Sequence, residues 1–305
     1  MSRIPGYLVL IAASFLFTGA INRVKAWWTG RKGPPLRQEI SDLRKLMRKG
    51  EVISSTASFV FRLNPAVQIA AAVFAAALVP LPGQSALLHI PGDFVVFASV
   101  LGLARFMSVV AALDVGSSFE GMGASREVTF AALVEPAFFI IIGSLAMITG
   151  QTSFADIFAR LEYGTGTAAL VKSIGAGALF IMLLVEGSRG PVDDPNTHLE
   201  LTMIHEVMIL DSSGPDLAFI LYASGLKMVL IATLMVDMLV PAGFGPWAGA
   251  LLYAGGLALA AAAVGAVESW MARARMSHVP QFIFIMTALS LTAFAVLLFS
   301  LRGGL

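Results

Sequence analysis

Apolar residues in this chain come in blocks about as long as a bilayer is thick, and this constrains the fold more than any other feature. Eight such blocks lie at roughly 4–22, 65–82, 94–115, 129–150, 169–187, 217–240, 247–268 and 281–301. Each supplies about 20 mostly apolar residues, enough to cross the hydrocarbon as a helix. The expected fold is therefore all-α, a polytopic membrane protein of about eight transmembrane helices in a single transmembrane domain spanning 1–305. Composition agrees: with 13% charged residues and a mean hydropathy of +0.84, the chain has too little charge to cover a soluble domain. The first block lacks a weighty basic n-region and a small-residue cleavage site, so it reads as a span and not as a cleavable signal peptide.

Lys and Arg set the expected orientation. Arg23, Lys25, Arg31, Lys32, Arg37, Arg44, Lys45, Arg48, Lys49 and Arg62 follow the first span, and alternate counting puts Arg126, Arg189, Arg273 and Arg275 on the same side. The other side holds Arg3, Arg160 and Arg302. Loops 23–64, 116–128, 188–216 and 269–280 are thus expected in the cytoplasm, with both termini periplasmic and the chain in the inner (plasma) membrane. The long loops all fall on this one face, which suggests a docking face.

The chain has no cysteine, which excludes disulfides, thiolate zinc sites, iron–sulfur clusters and cysteine-bound nickel within it. Its four histidines offer no evident metal or haem pair; His198 and His205 share a helical face by spacing, but no HExxH-type pattern exists. No metal site and no catalytic residue are assigned. Nothing in the sequence suggests a nucleic-acid partner.

In the first cytoplasmic loop, Gly33, Pro34 and Pro35 fix a turn. After it, Leu36, Ile40, Leu43, Leu46 and Met47 share one helical face, with Arg37, Arg44, Lys45 and Arg48 elsewhere. That is the pattern of a basic amphipathic helix lying on the bilayer surface, against lipid or beneath a soluble partner.

Ionisable residues within spans are costly and default to functional candidates. Arg105 and Asp114 lie in the third span, Glu135 precedes Pro136 in the fourth, and Glu186 closes the fifth. Lys227 and Asp237 lie in the sixth, ten residues apart and so within about 80° of each other around the helix, and Glu268 ends the seventh. Deep carboxylates with a deep lysine are what a proton path needs, although structural ion pairs use the same residues. The loop from Glu186 to Asp216 is acidic, and within it Leu199 to Leu210 is apolar enough to fold back on the membrane as a helix.

Four stretches then carry a resemblance: GRKGPPLRQEISDLRKL at 30–46, DVGSSFEGMGASRE at 114–127, EGSRGPVDDPNTHLEL at 186–201 with ILDSSG at 209–214, and ESWMARARM at 268–276. Over nearly its whole length the chain resembles the membrane subunit shared by complex I (its subunit 1) and the energy-converting [NiFe] hydrogenases. Within that family it looks most like the formate hydrogenlyase subunit 4 and hydrogenase-4 type. The resemblance implies about eight tilted helices and a cytoplasmic surface that seats a [NiFe]-hydrogenase-like large subunit and an iron–sulfur subunit. An antiporter-like membrane subunit would lie alongside. The [NiFe] centre and iron–sulfur clusters would lie in those partners, with a quinone as the alternative cofactor of a complex I-like assembly.

By motif position the resemblance carries over Asp42, Arg126, Glu127, Glu135, Glu186, Arg189, Asp193, Glu200, Asp211 and Glu268, and Lys227 matches the hydrogenase branch. Asp211 stands where complex I has glutamate. The expected proton path comprises Asp114, Glu135, Glu186, Glu200, Glu206, Asp211, Lys227, Asp237 and Glu268. The expected docking residues are Arg31, Lys32, Asp42, Arg44, Lys45, Arg126, Glu127, Arg189, Asp193, Arg273 and Arg275. The expected function is a membrane anchor that couples redox chemistry in cytoplasmic partners to proton translocation. A quinone-site subunit is the main alternative. A stand-alone transporter is less favoured, because the sequence shows no inverted repeat.

Overall fold

The computed structural model describes residues 4–161, 166–193, 203–240 and 245–303. It contains helices α1 (Ile4–Trp28), α2 (Gln38–Leu46), α3 (Phe59–Leu78), α4 (Asp93–Asp114), α5 (Ser118–Thr149), α6 (Phe154–Arg160), α7 (Thr167–Glu186), α8 (Gly214–Leu239), α9 (Pro246–Trp270) and α10 (Val279–Gly303). Eight of them, all but the short α2 and α6, are long and apolar enough to cross a membrane. No strand occurs among the described residues. The expectation of an all-α, multi-pass membrane protein is met.

Helix α8 is the axis of the bundle. Nearly every residue from Ala218 to Met238 is buried, and the helix packs on α1, α2, α3, α7 and α9. Around it, α3 pairs with α4, α10 with α5 and α7, and α1 with α9. Because the spans alternate, the ends of α1, α4, α7 and α9 and the starts of α3, α5, α8 and α10 share one side, called here the loop side.

Two boundaries differ from expectation. Helix α3 begins at Phe59 rather than 65 and runs through Pro65, with the Ser58 hydroxyl accepting from the Val60 N–H at 3.2 Å. Helix α5 begins at Ser118, so most of the expected loop 116–128 is helical. Its first turns carry Ser, Gly, Glu and Arg, which read as loop, but Glu120, Arg126 and Glu127 find partners in Asp211, Met203 and His205.

Helix α7 ends well inside the bundle. Glu186, its last residue, meets Arg105 of α4, about 13 Å from the loop-side end of that helix at 1.5 Å per residue. Ser188, Arg189, Val192 and Asp193 are buried, so the chain after α7 threads through the bundle interior before it surfaces. Of the expected helix Leu199–Leu210, residues up to 202 lie outside the described residues, and the remainder forms only a 3-10 turn at Glu206–Ile209.

The segment after α1 also folds back. A Cβ on Gly33 would stand 2.8 Å from the Ala26 Cβ, and one on Gly19 would run into the Leu36 carbonyl. Residues 33–36 therefore descend along α1 and start α2 about two turns below Trp28. Helix α2 then divides into three edges. Leu36, Ile40 and Met47 are exposed on the apolar edge, Arg37, Arg44, Lys45 and Arg48 are exposed on the basic edge, and Glu39, Asp42, Leu43 and Leu46 face an internal cavity.

Candidate functional site: a linked charge cluster beside a cavity

Arg105 of α4 is the centre of the site. Its Nε donates to Glu127 Oε1 at 3.0 Å, its Nη1 to Glu135 and its Nη2 to Glu186 Oε1. One guanidinium thus binds three carboxylates, two from α5 and one from α7, which its planar fork of donors permits and a lysine could not match. Glu127 and Glu135 are eight residues apart, within about 80° of each other around α5, so one guanidinium reaches both. The other oxygen of Glu186 accepts from Lys227 Nζ of α8 at 3.0 Å.

From Glu127 the cluster continues to the loop side. His205 Nε2 lies 3.1 Å from Glu127 Oε2, and its Nδ1 lies 3.6 Å from Asp193 Oδ2. That Asp193 oxygen also accepts from the Ile204 and His205 N–H groups, and Oδ1 accepts from Arg273 Nη2 at 2.6 Å. Burial opposes charge on His205, but the Glu127 carboxylate outweighs it, with Asp193 assisting, and holds the imidazole up at about 9. Among the described residues, protonated His205, Arg105, Lys227 and Arg273 then balance Glu127, Glu135, Glu186 and Asp193, four charges against four. In a low-dielectric interior such a balanced set is stable as a whole and strongly penalises the loss of any member.

A second cluster lies nearby. Glu268 is buried between Lys25 Nζ at 3.5 Å and Arg189 Nη1 at 3.6 Å, and its Oε1 also accepts from the Gly190 N–H at 3.4 Å. Between the clusters lies a cavity of about 380 Å³ whose lining includes Asn22, Glu39, Asp42, Arg105, Arg189, His205, Glu206 and Lys227. Burial pushes the Glu39 carboxyl up to about 7, against a Thr18 hydrogen bond and the Arg189 charge, so a group facing the cavity titrates near neutral pH.

The structure therefore joins Glu135, Glu186 and Lys227 directly, adds Glu127 and Asp193 to them, and places Glu206 in the same cavity. Other expected path residues stand apart. Asp114 accepts from the Ser58 N–H at 2.7 Å and fastens the start of α3. Asp211 is exposed, and only its backbone N–H engages the bundle, donating to Glu120 Oε1 at 3.1 Å. Asp237 does not approach Lys227: ten residues are about 15 Å along a helix, and Lys227 is turned to Glu186. Both Asp237 carboxylate oxygens are buried without a hydrogen-bond partner among the described residues. Glu200 lies outside the described residues.

The expected docking set also divides. Arg31, Lys32, Arg44, Lys45 and Arg275 are exposed, and Asp42 is held by Gln38 at 2.9 Å and Lys45 at 3.2 Å at the cavity edge. Arg126 donates to the Met203 carbonyl at 2.7 Å, and Arg273 is committed to Asp193. Glu127, Arg189 and Asp193 are buried inside the bundle. The reason is that α7 stops short, so residues that look like loop in sequence fill the gap it leaves, where a buried charge needs a partner.

Sequence reasoning flagged Arg105 as an intramembrane charge but gave it no place in the path, and weighed His205 only as a metal ligand. Glu39 and Glu120 went unremarked. The signal for Glu39 was its position beside Gln38 and Asp42 on the edge of α2 opposite the exposed apolar one. Among the described residues, no group of three or more His, Cys, Asp or Glu could hold a metal ion.

Comparison with known proteins agrees with this architecture. The chain is 32% identical to hydrogenase-4 component C of Escherichia coli (strain K12) over 77% of its own length and 74% of that protein. It is 27% identical to formate hydrogenlyase subunit 4 of the same organism, over 95% of this chain and 96% of the relative. Among solved structures, a chain of the membrane-bound sulfane sulfur reductase, an archaeal respiratory membrane complex, superposes with a TM-score of 0.83 at 18% identity, covering 97% of this chain and 98% of that one. The family model described as NADH dehydrogenase matches residues 3–299. The chain therefore belongs to the NADH dehydrogenase family, that of complex I subunit 1, whose members include the hydrogenase-4 and formate hydrogenlyase membrane subunits.

Proposed function

We propose that this chain is the membrane anchor and proton-coupling subunit of a hydrogenase complex of the formate hydrogenlyase or hydrogenase-4 type. One observation carries the reading: ionisable side chains link without a break from Arg273, through Asp193, His205, Glu127 and Arg105, to Glu135 and to Glu186 with Lys227. A charge change in a redox partner seated on the loop side would disturb the His205 end of this set. Because the described set is balanced, neutrality is restored by proton uptake or release at His205 and the carboxylates, while Arg105 stays charged and shifts its hydrogen bonds among them. Moving one charge across 100 mV needs about 2.3 kcal/mol, within reach of a modest redox drop.

Glu135 is partly exposed on the outside of the bundle, at the depth of the lipid, which suits transfer to an adjacent antiporter-like membrane subunit. The large subunit with its [NiFe] centre and the iron–sulfur subunit would dock on the loop side, near Arg44, Lys45 and Arg275. That side would be cytoplasmic and both termini periplasmic, in the inner membrane, as the Lys and Arg asymmetry supports.

The test uses the assembled complex in sealed membrane vesicles carrying Glu135→Gln or Glu186→Gln, which keep side-chain shape and remove the titratable proton. Assembly and partner catalysis with a soluble electron acceptor should persist, while redox-linked proton movement falls toward the uncoupled level. In the same vesicles a Gly50→Cys reporter, at an exposed position where a side chain meets nothing, should label only from the cytoplasmic face. Normal proton movement in both variants would reduce these residues to structural ion pairs.

A second reading, a quinone-site subunit of a complex I-like oxidoreductase, is favoured by the cavity, whose size falls in the range of small-molecule sites and whose lining mixes Leu43, Leu46 and Ile220 with the polar groups named above. A photoreactive quinone analogue would label α2 on that reading and leave it unlabelled on the first.

A further inference from the structure

Three of the chain's four tryptophans stand together at one end of the bundle. Trp27 and Trp28 close α1 and Trp270 closes α9; the Trp28 ring lies edge-on to both, 5.5 Å from Trp27 and 4.9 Å from Trp270 between centroids. They are 73%, 44% and 70% exposed, so the core does not require them. The fourth, Trp247, opens α9 at the opposite end. Helices α1 and α9 have 25 residues each. At 1.5 Å per residue that is about 37 Å, against about 30 Å of hydrocarbon, so their last turns emerge into the headgroup layer that tryptophan favours.

An aromatic girdle alone is not selective, but here a basic group is fixed beside it. The fold-back after α1 has the Arg31 N–H donating to the Ala26 carbonyl at 2.9 Å and the Gly30 N–H to the Trp27 carbonyl at 3.1 Å, and Gly33 rests on Ala26. Exposed Arg31 and Lys32 are thereby held near the height of the tryptophans rather than reaching into water, with exposed Arg23 just below. Residues 23–38 contain no Asp or Glu, and Glu268 of α9 is buried and already engaged by Lys25 and Arg189. The patch is therefore positive, aromatic and at interfacial height.

We propose that the loop-side ends of α1 and α9 form a binding site for an anionic phospholipid, with Arg23, Arg31 and Lys32 taking the phosphate and Trp27, Trp28 and Trp270 framing the glycerol and upper acyl region. This assigns Arg31 and Lys32 to lipid and leaves soluble-partner contacts to the α2 edge. The site does not depend on which redox complex the chain serves.

The full-length chain carrying Trp247→Phe places all tryptophan fluorescence in the cluster. It is reconstituted in phosphatidylcholine vesicles containing equal mole fractions of acyl-brominated phosphatidylglycerol or acyl-brominated phosphatidylcholine, which quench on contact. Each basic side chain at a membrane surface favours an anionic headgroup by roughly five-fold, so phosphatidylglycerol should quench much more strongly at the same mole fraction. Arg31→Gln with Lys32→Gln should bring the two lipids close together while quenching by phosphatidylcholine persists. Equal quenching by both lipids in the parent chain would mean an ordinary aromatic girdle and overturn the site. So would selectivity that survives the double substitution, or no quenching by either lipid, the sign of a cluster that stands clear of the bilayer. The parent measurement needs no change at Arg31 or Lys32, so misfolding of the double variant does not leave the proposal untested.

Discussion

The two halves of the bundle treat charge in opposite ways. On the loop side, four basic and four acidic side chains from four spans and the loops between them form one connected set. In the outer half, polar groups act singly or clamp a loop. Asp93 is buried and accepts from the Ser153 hydroxyl and the Phe154 N–H, each at 2.7 Å, while His89 meets Asp156 at 3.3 Å, and together these tie the two outer loops. The Asp237 carboxylate has no hydrogen bond among the described residues. The difference follows from helix length. On the loop side α7 stops early and polar chain fills the space, whereas farther out Leu, Ile, Phe and Ala from full-length helices pack against one another.

The strongest way to break that contrast is to remove its centre. Arg105→Met leaves three carboxylates short of their shared cation, and breaking a buried pair in this way costs about 3–5 kcal/mol. Thermal unfolding in detergent should show a large loss of stability. An unchanged midpoint would mean that the carboxylates do not depend on Arg105, and the loop-side set would then be no different from the outer groups.

A smaller effect is expected from pH, through His205. Its folded value, about 9, lies above the ordinary 6.5, so the stabilisation from its charge is complete below about pH 6.5 and fades as pH rises through 9. Hydrogen exchange in residues 203–210, corrected for intrinsic rate and referred to the α8 core, should speed up across that window. In His205→Gln the corrected rate should be high and flat from the start. Protection that is independent of pH in the parent protein would show that backbone packing alone holds this segment.

The smallest effect belongs to the outer half. Asp237→Asn removes no hydrogen bond or ion pair, so stability should change by no more than about 1 kcal/mol. Redox-linked proton movement should be close to normal. A loss comparable to that of Glu186→Gln would extend the linked set into the outer half and erase the contrast.

Much of the fold was legible from hydrophobic block length alone, because lipid demands about 20 apolar residues per crossing whatever those residues later touch. The eight spans were found that way, and the apolar edge of α2 followed from its periodicity. Boundaries at polar helix starts were not legible. Ser118 to Arg126 is helical because buried Glu120 and Glu127 find partners in distant loop segments, Asp211 and His205, and that information is not local.

The sequence by itself determined that this is a multi-pass helical protein, that it holds no cysteine-bound redox centre, and that rare charges such as Arg105, Glu135, Glu186 and Lys227 sit within spans. Each of these follows from composition over a short window. Which charges meet was decided only by tertiary structure. Spacing along α8 puts Lys227 and Asp237 within about 80° of each other, yet the early end of α7 presents Glu186 to Lys227, and the Asp237 carboxylate has no hydrogen bond among the described residues. Likewise Glu127, Arg189 and Asp193 read as loop charges for a partner and are instead buried among one another's counter-charges. A buried ion accepts a partner from any helix that brings one within reach, so pairing depends on where helices end in space, which no single helix encodes.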